Sequence, residues 1–371
     1  MDTNTATGRR VSLDVFRGLT VAGMIVVNNP GTWSAIYRPL KHAEWHGCTP
    51  TDLVFPFFLF IVGVAIDLSQ SKRKQRGDPR RALLFQVLRR AAIIFALGLF
   101  LNGFPFFDLA TIRVPGVLQR IAICYAVVAA LNLYSGPRLQ AGLAFALMFG
   151  YWVLLDFVKA PGSWFGNLEL PGTLPAWVDR GVFGPHKWKP DYDPEGLLST
   201  IPAIATTIWG VMAGHWVGSW RTRFAEMAGL LACGLAGIIL GLAWDRSFPM
   251  NKALWTSSFV AFTAGWAAIV LGLCVAIVDV AQWRRWATPF LVFGMNPILA
   301  FVGSGVLARV LGLVPITDAG RQVSLKTFLY EHAFASWTEP KLASLLFALS
   351  FLTVCFLALL PLYRRGWAVR I

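Results

Sequence analysis

The feature that most limits how this chain can fold is a succession of ten apolar stretches, each close to the roughly 20 residues that a helix needs to cross the hydrocarbon core of a bilayer. They lie near residues 13–29, 51–69, 83–103, 115–134, 138–157, 197–219, 226–244, 255–279, 288–311 and 341–363. In hydrocarbon every backbone polar group must be satisfied within its own segment, so stretches of this kind cross as helices. Composition agrees. Of 371 residues 56% are hydrophobic and 14% charged, too apolar and too sparsely charged for a soluble domain of this size. The expected fold is an all-α integral membrane protein of about ten transmembrane helices. No long linker or shift in composition divides residues 1–371, so one membrane domain is expected.

The 33 Lys and Arg against 19 Asp and Glu fit the excess of basic residues on the cytoplasmic side of membrane proteins better than nucleic-acid binding, and no nucleic-acid partner is expected. The even-numbered junctions carry Lys72, Arg73, Lys74, Arg76, Arg80 and Arg81, then Arg138, then Arg221 and Arg223, then Arg284 and Arg285, and the tail adds Arg364, Arg365 and Arg370. Both termini are therefore expected in the cytoplasm, with the longer loops near 30–50, 158–196 and 312–340 on the opposite face. Arg9 and Arg10 before an apolar stretch imitate a signal peptide, but Asp14 and Arg17 interrupt it and no small-residue cleavage site follows Asn28-Asn29-Pro30, so the segment is expected to remain as a first helix. Cys48, Cys124, Cys233, Cys274 and Cys355 are scattered, which suits neither a disulfide framework nor a metal site.

Two helices carry helix breakers. Gly294-Met295-Asn296-Pro297 falls in the middle of the ninth and Pro56 early in the second. Proline in a membrane helix is tolerated where helices pack or line a wet cavity. The 158–196 loop holds Trp164, Phe165, Trp177, Trp188 and Tyr192 among Gly and Pro. Such aromatics stack on sugar faces, although an interfacial aromatic belt is the simpler account.

The densest polar constellation runs through the first helix, the first outer loop and the start of the second helix. It comprises Asp14 and Arg17, Asn28 and Asn29, Lys41-His42-Ala43-Glu44-Trp45-His46-Gly47, and Thr51-Asp52. Asp14 and Arg17 are three apart, share a helix face and suit a structural ion pair. Ionisable groups at membrane depth cost about 2.5–3.5 kcal/mol on insertion scales unless paired. Among these residues His42 is the best candidate for chemistry. An imidazole can take a proton from an amine nucleophile near neutral pH, a carboxylate such as Asp52 would orient it, and the Asn28 amide could donate to a carbonyl oxygen becoming an oxyanion. A loop histidine is also an ordinary surface residue. His42 and His46 have i, i+4 spacing, but no third ligand is fixed by spacing and no metal is expected. Cys48 is a minor candidate nucleophile.

At these residues a family resemblance emerges. Leu13-Asp14-Val15-Phe16-Arg17-Gly18, Val27-Asn28, Lys41-His42-Ala43-x-Trp45-x-Gly47 and Thr51-x-Leu53-Val54-Phe55-Pro56 look like the N-terminal signature of the heparan-α-glucosaminide N-acetyltransferase family. Pro115-Gly116-Val117-Leu118-Gln119-Arg120, Tyr192-Asp193-Pro194-Glu195-Gly196-Leu197 and Gly294-Met295-Asn296 continue it over nearly the whole chain. The resemblance implies a membrane enzyme that takes acetyl from cytoplasmic acetyl-CoA and passes it to a terminal glucosamine amine on the far side. The family's active-site histidine falls on His42, its nearby asparagine on Asn28 and its following aspartate on Asp52. Two departures stand out. On this reading the family's large lumenal N-terminal region is expected to be missing, which bears on a polymeric heparan substrate. His46 stands where the lysosomal enzyme has asparagine, which bears on acceptor preference. The chain looks more like the bacterial members, implying a multi-pass protein of the inner membrane, and relatives that dimerise make a homodimer the expectation.

The resulting expectation is an acetyl-CoA-dependent transferase acting on glucosamine or a glucosamine-containing glycan. His42 serves as general base or acyl carrier with Asn28 and Asp52. Coenzyme A phosphates would attract Arg89, Arg90 and the basic loop after the second helix, with Arg120 deeper, and Arg17 and Asn296 complete the candidate cofactor set. Trp45, His46 and Glu195 are the candidate acceptor contacts. The rival class is a secondary transporter for amino sugars such as N-acetylglucosamine. Broken helices suit it, but no internal repeat is visible in the sequence.

Overall fold

The computed structural model describes residues 10–219 and 222–369; Arg9, Arg221 and Arg370, cited above for their charge, lie outside the described residues. The apolar stretches become helices α1 (Val11–Asn28), α2 (Pro50–Gln75), α3 (Arg80–Gly103), α4 (Val117–Tyr134), α5 (Pro137–Phe157), α7 (Thr200–Ser219), α8 (Arg223–Trp244), α9 (Ser257–Cys274), α10 (Thr288–Met295), α11 (Pro297–Leu313) and α13 (Pro340–Arg364), with α6 (Leu174–Phe183) and α12 (Leu325–Tyr330) in the long loops. Among the described residues eight helices are long and apolar enough to cross a membrane, or nine if the pair 285–295 and 297–313, bent by 77°, is one span. The expected count of about ten differs by α7. That helix is 20 residues long but carries buried Thr200, Thr206 and Thr207, a composition suited to a helix packed among others rather than against lipid. Pro56 leaves α2 unbroken, whereas the Asn296-Pro297 step does interrupt the ninth stretch.

The chain divides into two compact units. One takes residues 10–42, 222–228 and 270–369. Its α1 meets α10 backbone to backbone: a Cβ on Gly18 would lie 1.8 Å from Phe290 O, and one on Gly294 2.1 Å from Asp14 O. Arg17 Nη1 donates to Asp14 Oδ1 and to Gly294 O, both at 3.3 Å, so the expected pair forms and also ties α1 to the Gly294 end of α10. Asn296, at the break, donates from Nδ2 to Trp367 O at 3.0 Å and accepts at Oδ1 from Val369 N at 2.8 Å. The loop after α1 lies on the start of α13 through Gly31 N to Ser344 O at 3.2 Å and Tyr37 OH to Glu339 Oε1 at 2.7 Å. In the 312–340 loop, β1 (Pro315–Asp318) and β2 (Arg321–Ser324) pair antiparallel, with Pro315 opposite Ser324.

The other unit takes residues 43–219 and 229–269. Its centre is the crossing of α2 and α7, made possible by two glycines. A Cβ on Gly63 would sit 2.1 Å from Thr207 O, and one on Gly210 2.0 Å from Phe60 O. Small residues let membrane helices approach this closely. A buried cluster of Tyr151, Leu155, Leu174 and Phe248 anchors α6, and with it the 158–196 loop, on the end of α5.

Candidate active site

Helix α2 begins where it does because Asp52, at its third position, accepts from Thr49 N and Thr49 Oγ1, both at 3.0 Å, with Pro50 at the first helical position. Asp and Pro at these positions satisfy or remove orphan N–H groups of the first turn. The same oxygen, Oδ2, accepts from Ala43 N at 3.0 Å, so Asp52 fixes the chain immediately after His42. Its other oxygen faces Lys252 Nζ at 3.4 Å. Asp52 is 1% exposed, and a carboxylate so buried calls for a cation.

Lys252 comes from the turn between α8 and α9. That turn is held by Leu254 N to Asn251 Oδ1 at 2.9 Å and Thr256 N to Asn251 O at 3.1 Å. Its Trp255 has φ 53°, a strained value for a bulky residue. The indole donates to Thr206 Oγ1 at 3.1 Å, stacks edge-on against Phe55 at 5.2 Å and lies under the Arg120 guanidinium at 5.0 Å. Burial lowers the Lys252 pKa from its ordinary value, while Asp52 and Glu195 act to raise it.

A second knot joins the 104–116 and 184–199 segments. Arg113 donates from Nε to Asp193 Oδ2 at 2.8 Å and from Nη2 to Asp193 Oδ1 at 2.5 Å, and its Nη2 also reaches Glu195. Burial works against the Arg113 charge, yet Asp193 and Glu195 together raise its pKa. Asp193 also accepts from Trp188 N at 2.8 Å and Glu195 N at 2.9 Å. Beside it, Asp179 accepts from Leu197 N at 3.0 Å and Asp193 N at 3.2 Å, and burial pushes its pKa up to about 6. Gly196 is required here because a Cβ would stand 2.1 Å from Asp179 Oδ2. Arg120, 1% exposed, donates from Nη2 to Ser199 Oγ at 2.5 Å and Gly196 O at 3.2 Å.

The acceptor candidates fall in the same unit. Trp45 Nε1 donates to Leu168 O at 2.9 Å and its ring meets Tyr192 edge-on at 5.4 Å. His46 Nε2 lies 2.8 Å from Glu169 Oε1. Trp164, Phe165, Trp177 and Trp188 are all exposed. His42 is exposed and follows the short 3-10 turn Arg38–Leu40, while Asn28 is the exposed last residue of α1; both belong to the first unit. Of the coenzyme A candidates, Arg89 and Arg90 are exposed on α3, with Arg90 over the Tyr125 ring at 5.2 Å. Arg17, Arg120 and Asn296 are engaged as described above. Cys48 is unsuited to nucleophilic work, because burial first and Asp52 second push its pKa up to about 12. Among the described residues no three His, Cys, Asp or Glu side chains are grouped to hold a metal ion.

Sequence reasoning singled out neither Lys252, Arg113 nor Asp179. Asp193 stands within the Tyr192–Leu197 string, and that string was the signal for the second knot.

Residues 9–231 match the family described as heparan-alpha-glucosaminide N-acetyltransferase, catalytic. The chain is 31% identical over 355 residues to the mouse protein named heparan-alpha-glucosaminide N-acetyltransferase, and 30% identical over 353 residues to the human protein of that name. Each alignment covers 80% of this chain, and 53% and 52% of those relatives. The chain therefore spans about half the length of the curated relatives it matches.

Proposed function

Because this chain belongs to the heparan-α-glucosaminide N-acetyltransferase family, we propose that it transfers acetyl from acetyl-CoA to the amine of glucosamine or of a glucosamine-containing glycan, with His42 at the reacting centre. The observation that supports this most is the family match over 9–231, a stretch that contains Asn28, His42 and Asp52 together with the Arg113, Asp193 and Glu195 knot.

In the proposed reaction the acceptor nitrogen attacks the thioester carbonyl. The C–N bond forms, the C–S bond breaks, and the electron pair leaves on the coenzyme A sulfur. The amine proton goes to His42, which returns it to the departing thiolate. In the carrier form of the same scheme, an imidazole nitrogen of His42 takes the acetyl first and the amine displaces it. Asn28 donates an amide hydrogen bond to the carbonyl oxygen as it becomes an oxyanion. Asp52 fixes the chain after His42 through Ala43 N. Trp45 offers a face to the sugar ring and Glu195 a hydrogen bond to it, while His46, engaged with Glu169, borders the acceptor side.

Acetyl-CoA arrives as a substrate from the cytoplasm, with the acceptor on the other side. Exposed Arg89 and Arg90 on α3, beside the basic loop after α2, suit its phosphates. Asn296 is buried with its amide bonded to Trp367 O and Val369 N, so it is better suited to holding the protein's own chain, whereas Arg120 engages Ser199 and Gly196 through Nη2 and leaves Nε and Nη1 without a hydrogen-bond partner among the described residues.

The test is a purified preparation in nanodiscs given acetyl-CoA and glucosamine. Free thiol and N-acetylglucosamine should appear in equal amounts. Uptake of amino sugar into vesicles without thiol release would replace this reading with transport. Quenching with labelled acetyl-CoA in the absence of acceptor separates the two roles of His42, since label retained on protein marks the carrier.

A further inference from the structure

We propose that Lys252 is a positioning residue for the transfer reaction, acting through Asp52 to hold the chain that follows His42. The proposal rests on the function proposed above and adds a residue from beyond the 9–231 family match.

The two oxygens of Asp52 divide the work. Oδ2 gathers three donors, Ala43 N, Thr49 N and Thr49 Oγ1, each at 3.0 Å, while Oδ1 faces Lys252 Nζ at 3.4 Å. Lys252 thus holds the carboxylate from the side opposite these donors and fixes the orientation in which Oδ2 meets all three. With side chains 22% and 1% exposed, the pair is shielded enough for the attraction to count.

The Lys252 turn is built to serve as an anchor. Gly47 N donates to Met250 O at 2.7 Å, so the 250–256 turn grips the 43–52 segment at two points, once by backbone and once by charge. Asn251 and the Trp255 packing described above hold the turn in place. Glu195 also acts on Lys252 electrostatically, which links the Asp52 anchor to the knot of Arg113 and Asp193. A lysine placed only for surface solubility would show none of these constraints.

The experiment compares Lys252→Met, Lys252→Arg, Asp52→Asn and the Lys252→Met/Asp52→Asn pair in the full chain in nanodiscs. Lys252→Met should lower kcat by roughly 10- to 100-fold, the scale of a small misplacement of reacting groups, with KM for acetyl-CoA within about twofold of the parent. Lys252→Arg should recover most of the loss. The double variant should be no slower than Asp52→Asn alone, because the lysine acts through the aspartate. Hydrogen exchange over residues 43–49 supplies a reading that needs no turnover: Lys252→Met should speed exchange there by about tenfold or more, and Lys252→Arg should not. Parent-like kcat in Lys252→Met, losses that multiply in the double variant, or unchanged exchange over 43–49 would overturn the proposal. An inactive parent whose exchange still responds to Lys252→Met would sink the transferase reading alone and leave the anchor standing.

Discussion

His215 on α7 places Nδ1 2.9 Å from Oδ1 of Asp67 on α2, and a directional chain of amides sets what the far side of that imidazole meets. Gln70 Nε2 donates to the backbone carbonyl of Ala129 at 3.0 Å, Asn132 Nδ2 donates to Gln70 Oε1 at 3.0 Å, and Gln140 Nε2 donates to Asn132 Oδ1 at 3.0 Å. A carbonyl can only accept, so each amide is oriented in turn and Gln140 Oε1 is left facing His215 Nε2 at 3.0 Å. Both ring nitrogens thus face acceptors, which ties α7 to α2 and to the amide chain.

The pair is predicted to matter through what remains when it is broken. His215→Phe takes a hydrogen-bond partner from the buried Asp67 and should cost roughly 1–3 kcal/mol, whereas Asp67→Leu/His215→Phe removes both partners and should recover most of that. Thermal melts of the three proteins in nanodiscs check it. A His215→Phe protein as stable as the parent would show that Asp67 is satisfied elsewhere.

A pH dependence follows from Asp179. Its folded-state pKa, pushed up to about 6 by burial, exceeds the ordinary carboxylate value of about 3.9, so the folded protein binds this proton more tightly than the unfolded chain. The contribution to stability is full below about pH 4 and is lost as pH rises through about 6, a difference of roughly 3 kcal/mol. The parent should therefore lose more thermal stability between pH 5 and pH 7.5 than Asp179→Asn does. Identical losses in the two proteins would remove Asp179 as the source.

Sidedness is predicted from the six basic residues between Lys72 and Arg81, at the turn between α2 and α3. This loop should face the cytoplasm and the 158–196 loop the opposite side. Single cysteines at 75 and 164, both exposed positions, in intact cells check it: an impermeant reagent should label 164 and spare 75, and the reverse pattern would invert the topology.

For the chemistry, His42→Ala should lower turnover by about 10²-fold or more while coenzyme A affinity survives, since the nucleotide end is expected across the membrane. Asp52→Asn should slow turnover through loss of loop position. His46→Ala should do less, because His46 is engaged with Glu169. Turnover measured beside coenzyme A affinity decides, and a His42→Ala protein working at the parent rate would exclude the residue.

Local pattern carried much of this. The apolar runs announced the helices, the Asp14–Arg17 spacing announced their ion pair, and Asn296-Pro297 announced the break that bends the ninth stretch by 77°. At Pro56, the other helix breaker, α2 continues through the proline. His42, Asn28 and Asp52 were legible as a polar constellation next to a helix start, and the Tyr192–Leu197 string pointed to Asp193 and Glu195.

What the sequence by itself determined is thus everything governed by neighbours along the chain: which segments are apolar enough to cross, where α2 is capped, and which short strings carry unusual polarity for their surroundings. Only the tertiary structure decided the partners. Arg113 meets Asp193 across 80 positions, and Lys252 reaches Asp52 from the far end of the same unit. In an apolar interior a charge is stable only beside its counter-charge, and the fold, through glycine crossings such as Gly63 and Gly210, sets which ones meet.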